Sequence, residues 1–273
     1  MKRWLVTFVL CAVCSAAVGA DVTLVQISTV EGGMAAMANA PSPEITTRVK
    51  GLRSRTDMNA GSVSVITILD LVAKQIIILR PDQKTATVSS AAPPPAGPPS
   101  APTVTVGGIE ASVKPTGKSQ MIDGIKCDEF TFTTAIDMGA MSGGQLPPET
   151  GAMLQGMKML MAGSVWVAKD APGAAEYIAF QKAAASSNTA AIGAAAAGVS
   201  IPGLEKIMKA MSSIEGLAYL TEMTMTVEGS GQIADMMRQM GAMKMITRLK
   251  SVKTDPLSDD LFKIPEGYTT AKQ

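Results

Sequence analysis

Residues 219–228, YLTEMTMTVE, alternate in character almost without a break. Tyr219, Met223, Met225 and Val227 fall on one side of an extended chain, and Glu222, Thr224, Thr226 and Glu228 on the other, because successive side chains of a strand point to opposite faces. Residues 243–253, MKMITRLKSVK, repeat the logic, with Met243, Met245 and Leu249 set against Lys244, Arg248 and Lys250. One dry and one wet face on successive strands is the pattern of an antiparallel sheet packed on one side.

The same period runs through the rest of the chain. Residues 21–30 (DVTLVQISTV) read as a strand, and residues 44–57 (EITTRVKGLRSRTD) as a second with arginines on its polar positions. Residues 63–70 and 75–79 form a hairpin through Leu71-Val72-Ala73-Lys74, and Arg80-Pro81-Asp82-Gln83 turns the chain into residues 84–88. A second set of strands starts near Ser112 and includes residues 127–136, where Phe130 and Phe132 share a face with Asp128 and oppose Cys127, Glu129 and Thr131. Residues 164–169 (SVWVAK) make a short strand.

Helical spacing is rarer. Leu204, Ile207, Met208 and Met211 stand at i, i+3, i+4 and i+7, and Ile233, Met236, Met237 and Met240 give a shorter stripe. Asp170-Ala171-Pro172 opens an alanine-rich helical stretch through Tyr177, Ile178 and Phe180. Met153, Leu154, Met157 and Met161 predict a further helix, weakened by Gly151 and Gly156. Residues 89–102 (SSAAPPPAGPPSAP) cannot sustain a ladder and read as an extended Pro/Ala loop, and residues 186–198 are low-complexity alanine. The Pro/Ala stretch either divides two domains or interrupts one sheet; the shared strand pattern on both sides favours one domain over residues 21–273.

The first twenty residues say where the chain works. Lys2 and Arg3 precede an apolar run from Trp4 to Ala17, and Val18-Gly19-Ala20 offers small residues for a signal peptidase. The expectation is a signal peptide over residues 1–20, cleavage after Ala20, and a periplasmic or secreted protein. Cys11 and Cys14 would leave with it, so Cys127 alone of the three cysteines remains and no internal disulfide can form. The formal charge of +1 falls to −1 without Lys2 and Arg3; this balance argues against capture by nucleic acid. No second long apolar run follows, so no integral membrane segment is expected in the processed chain.

Function classes are narrowed by what is missing. With no histidine, the commonest general acid–base at neutral pH is gone, together with most zinc sites and the usual triads. We expect no enzyme, no catalytic residue and no cofactor. The phosphate-loop-like Gly117-Lys118-Ser119 lacks the earlier glycine, since Ser112 stands there, and precedes a strand pattern rather than a helix. Cys127 sits beside Asp128 and Glu129, an acidic setting that disfavours a thiolate and suits a structural cysteine. Arg48, Lys50, Arg53 and Arg55 read as a solvated strand face.

Methionine is the exception, with nineteen of the 20 beyond residue 20. Thioethers are soft ligands for copper(I), and they are also adaptable apolar fillers that suit flexible apolar ligands. Most of these methionines sit on the dry side of their element, so Met208, Met211, Tyr219, Met223, Met225, Met236 and Met240 are the candidates for lining an apolar cavity that takes a lipid or acyl chain. No metal site is assigned. A copper(I)-binding envelope protein, or an interaction module using the Pro/Ala loop, are the alternatives, and the protein partner is open.

Four stretches carry a resemblance. VKGLRSRTDM with ITILDLVAKQIIILRPDQKTATV, then MIDGIKCDEFTF, then the strand of Trp166 with Lys169-Asp170, and the ending DPLSDDLFKIPEGYTTAK are similar to DUF4412, an uncharacterised exported bacterial family. Phe262, Ile264, Pro265, Gly267 and Tyr268 match its terminal F-x-I-P-x-G-Y signature. The resemblance implies the LolA- and LolB-like fold of periplasmic lipoprotein carriers: an α+β half-barrel, a curved antiparallel sheet with helices covering its concave face. It implies no catalytic residue, and its signature residues are expected to serve packing and turns.

Overall fold

The computed structural model of the protein describes residues 21–32, 42–61, 63–90, 110–138, 154–187 and 213–272. Alternating apolar residues give twelve strands: β1 (Val22–Glu31), β2 (Glu44–Lys50), β3 (Arg53–Ala60), β4 (Val63–Asp70), β5 (Gln75–Arg80), β6 (Thr85–Ser90), β7 (Glu110–Ile122), β8 (Ile125–Asp137), β9 (Lys158–Ala168), β10 (Leu217–Glu228), β11 (Met243–Lys253) and β12 (Thr269–Lys272). Among the described residues two α-helices accompany them, α1 (Ala174–Ser186) and α2 (Gln232–Gln239). All strands join one sheet in the order β12-β6-β5-β4-β3-β2-β1-β11-β10-β9-β8-β7. Every pairing is antiparallel except β12 on β6. So many twisted strands in one layer must curl, and β7 and β12 end the sheet without meeting. The strands before and after the Pro/Ala stretch lie in this same sheet, while residues 91–102 themselves, most of the alanine segment 186–198 and the leader 1–20 lie outside the described residues.

Two sequence expectations change. The run 44–57 is two strands, because Lys50-Gly51-Leu52-Arg53 turns with Gly51 at φ +55° and Lys50 pairs Arg53. The helix predicted around Met153–Met161 is instead the start of β9, which pairs β10 from Met157's neighbour Lys158 onward; Gly156 at φ +75° breaks the helical path. Met153 lies outside the described residues, and Met157 is fully buried. The Gly117-Lys118-Ser119 stretch is part of β7, at an irregularity in its pairing with β8, with Ser119 donating to Asp128 at 2.6 Å.

The register defines two faces. On one, Leu24, Thr47, Thr56, Thr67 and Ile78 form a cross-strand row over β1–β5. That face also carries Val165 and Val167 of β9, paired with Phe130 and Asp128 of β8. Helix α1 packs here: Phe180 and Ala184 join Val22, Leu24, Val49 and Leu249 in the main core. The close approach is enforced at Gly173, where a Cβ would lie 2.7 Å from the Val22 side chain.

The opposite face is covered by the chain's own end. Ile66, Ile68, Ile77, Leu79 and Ala86 are buried under Phe262, with Leu257, Leu261, Ile264 and Tyr268 around it. Strand β5 is thus buried on both sides, which explains its unbroken QIIIL run. The basic set does not form a freely solvated face. Lys50 donates to the Leu257 carbonyl at 2.6 Å, Arg55 to the Leu261 carbonyl at 3.0 Å, and Arg53 to Asp259 at 2.7 Å while lying 5.1 Å over the Phe262 ring. Arg48 and Arg55 both pair with Asp57. Lys50, Arg53 and Arg55 clamp the C-terminal segment because its carbonyls and the Asp259 carboxylate pass directly over β2 and β3.

Candidate functional site

An apolar cavity of about 270 Å³ lies between α1 and the sheet. Val165 and Val167 of β9 and Ala218 of β10 form its floor; Tyr177, Ile178 and Ala185 of α1 form its roof; Ile214 and Gly216 close a side. Gly216 has φ +139°, and a Cβ there would sit 2.5 Å from Val167, so only glycine lets the chain pass so close to β9. Gln181 and Lys182 complete the lining. On the same face, Phe132 joins Val165 and Val167 in a buried cluster with Val113, Phe130 and Met223 against it.

Among the described lining residues, the polar side chains all come from α1. Gln181 donates to the Tyr177 hydroxyl at 2.8 Å, an i,i+4 pair on one helix face. Burial pushes the Tyr177 hydroxyl's pKa up, against the opposing effect of that hydrogen bond, so the group is a neutral donor at physiological pH. Lys182 reaches outward to Glu215 at 2.6 Å; this bond, the Lys182 charge and, more weakly, Lys169 hold Glu215 below its usual range.

Beyond the floor, the same face of the sheet is paved with methionine. In β9, Met159 and Met161 share their side with Val165 and Val167; in β10, Met223 and Met225 share it with Ala218, once an extra residue is allowed between Ala218 and Leu220. Met161, Met225 and Met243 are directly opposed across β9, β10 and β11, and Met223 is opposed to Met245. All six are half-buried. The other half of this face, over β2–β4, carries a row of hydroxyls, Thr47, Thr56 and Thr67, beside an apolar row, Ile45, Met58 and Val65.

The predicted site residues distribute unevenly. Met223 and Met225 belong to the methionine floor. Tyr219 falls at the bulge and is buried in the main core with Leu217, Cys127 and Ala168, away from the cluster on which Met223 packs. The residue that the bulge moves is Ala218: paired with Val167, it stands on the side of Met223 and Met225, where strict alternation would put it on the other. In α2 the buried residue is Ala234; Met240 is half-buried, and Met236 is 56% exposed. Met208 and Met211 lie outside the described residues. None of the described candidates lines the cavity itself. Its valines, Tyr177, Gln181 and Lys182 were not singled out by the sequence reading, and the only signal for them was the helical stretch after Pro172.

The terminal signature residues serve packing and turning. Phe262 is buried, Ile264 and Tyr268 pack beside it, Pro265 is exposed, and Gly267 turns at φ +80°. Cys127 is free and fully buried, and burial, then Asp128 and Asp123, push its thiol pKa up; it is a structural thiol. Among the described residues no group of three carboxylates or cysteines could hold a metal, and no helix is long and apolar enough to cross a membrane.

Comparison with known proteins gives little beyond this geometry. No family model matches the chain, so the likeness to DUF4412 rests on the quoted motifs alone, and no curated protein matches it. Among solved structures, an uncharacterised conserved protein from Thermus thermophilus aligns over 93% of this chain and 91% of its own, with TM-score 0.44 and 6% identity. The Mycobacterium tuberculosis lipoprotein LppX aligns over 86% and 88%, with TM-score 0.29 and 11% identity. Both scores fall below 0.5, and neither defines this chain's fold or role.

Proposed function

We propose that this chain is an exported, non-enzymatic binding protein with a half-barrel architecture, which holds an apolar ligand such as an acyl chain between α1 and the sheet. The cavity carries the reading: an apolar pocket roofed by one helix, with a methionine floor continuing from it on the same face of the sheet. Valine and isoleucine walls give fixed shape, and unbranched thioether side chains adapt to a chain that varies in conformation. At about 270 Å³ the pocket is just under the roughly 300–1,000 Å³ of ordinary small-molecule sites, so it suits one chain end rather than a bulky lipid. The sequence motive for export is the charged, then apolar, then small-residue pattern of residues 1–20.

Native mass spectrometry of the protein isolated from its own compartment, followed by organic extraction, tests this. Bound lipid that disappears in an Ala218→Phe variant supports it. Repeated absence of lipid, with no displacement of an apolar fluorophore by added chains, overturns it.

A second reading has one specific observation in its favour, the cross-strand set Met161, Met225 and Met243 with Met223 and Met245 adjoining. Thioethers gathered from three strands suit copper(I). Titration under reducing conditions decides: affinity no better than millimolar, or no loss when Met225 and Met243 become leucine, disposes of it.

A further inference from the structure

Resting on the apolar-ligand reading, we infer that the cavity selects single-chain amphiphiles with an anionic head, which Lys182 holds at the mouth while the chain lies on Val165, Val167 and Ala218. The lining has a chemical direction. Its floor is wholly apolar, and its three polar residues all belong to α1. Among the described lining residues Lys182 is the one that carries a charge, and none is a carboxylate. An anion at the mouth therefore meets a cation, whereas a cationic head meets the same lysine with repulsion.

Donor chemistry points the same way. The Tyr177 oxygen already accepts from Gln181, and no described residue takes its hydrogen, so the hydroxyl is left to donate. Lys182 has three donors and spends one on Glu215. An anionic head offers several acceptor oxygens and can take both; a hydroxyl head offers two lone pairs and no charge. Glu215 is a competitor for Lys182 rather than part of the receptor, since the pair is solvent-exposed on both sides and such pairs are weak. Carboxylate and phosphate heads share this chemistry, and the test separates them.

The probes are eight- to ten-carbon chains below their micelle concentrations, ending in carboxylate, phosphate, hydroxyl or trimethylammonium, titrated into the full chain by calorimetry. The anionic chains are expected to bind about five- to tenfold more tightly than the alcohol, with the ammonium weakest. In Lys182→Gln the anion-to-alcohol ratio should collapse to within about twofold, Lys182→Arg should restore it, and Glu215→Gln should raise it. A phosphate that exceeds the carboxylate identifies the head as a phosphate, and the reverse as a carboxylate. Equal binding of all four heads, or a preference for anions that survives Lys182→Gln, overturns the head assignment and leaves the apolar cavity standing. No binding of any chain overturns the apolar-ligand reading itself.

Discussion

Replacing Phe262 by alanine is expected to unfasten the C-terminal segment from the sheet and to destabilise the whole fold. Phe262 is 5% exposed, and its ring covers Ile66, Ile68, Ile77, Leu79 and Ala86 from three adjacent strands. Phe-to-Ala changes in cores cost about 3–5 kcal/mol, the upper part where the surroundings cannot collapse. Loss of the Arg53 contact at 5.1 Å adds about 0.5–1 kcal/mol. The strands beneath are held in register by their neighbours on both sides, so collapse into the space is restricted and a cost of about 4 kcal/mol follows. Against typical stabilities of about 5–15 kcal/mol, that is a large fraction. Urea unfolding followed by circular dichroism reads it directly: with a slope of about 2–3 kcal/mol per molar, the midpoint falls by about 1.3–2 M. Phe262→Leu, which keeps most of the apolar volume, should lose less than half as much. A midpoint shift under about 0.4 M for the alanine variant, with unchanged slope, would refute the claim that this ring anchors the segment.

Three further outcomes follow from the same geometry. Gly163→Ala should cost about 2–4 kcal/mol, because its Cβ would lie 2.0 Å from the Glu222 carbonyl oxygen and force β9 from β10; Gly117→Ala, at φ +77° with open space around it, should cost only about 1 kcal/mol, and thermal melts of the pair check the contrast. Asp57→Asn should lower stability by about 2 kcal/mol through the loss of the charge facing Arg48 and Arg55, and Asp57→Asn with Arg55→Met should recover part of it in a double-mutant cycle. Asp259 and Asp260 are held below the usual carboxylate range, by hydrogen bonds from Lys50 and Arg53 and from Lys263 respectively. Their folded pKa values lie below their unfolded ones, so their contribution is present above the ordinary aspartate range and is lost as pH falls through the folded values. Acid unfolding of Asp259→Asn should accordingly show a weaker pH dependence below about pH 4, and salt should shrink the difference.

The strands were legible because period-two alternation is a local property. Residues 219–228 and 243–253 announce a half-buried sheet whatever surrounds them, and the hairpin of residues 63–79 announces its turn at Leu71-Val72-Ala73-Lys74, which the structure shows fixed by the Asp70 carboxylate accepting from the Val72 and Ala73 amides. The helix after Pro172 was legible from its alanine-rich run, a signal that is equally local. What the local pattern could not show is which methionines meet. Met161, Met225 and Met243 are far apart in the chain, and only strand register sets them opposite one another.

Three features were decided by tertiary structure alone. The side on which Ala218 stands is set by one extra residue in β10, a defect that exists only relative to its partner β9. The arginines of β2 and β3 read as solvated until the C-terminal segment, some two hundred residues later, brings Asp259 and the carbonyls of Leu257 and Leu261 over them. The cavity, finally, is the space left between α1 and β9–β10, and no single element contains it. Sequence by itself determined the extended strands, the paucity of acid–base chemistry in a histidine-free chain, and an apolar side to the sheet, because propensity and composition act residue by residue. Where that apolar side is open and which charge guards it depend on packing between distant segments, and only the fold settles that.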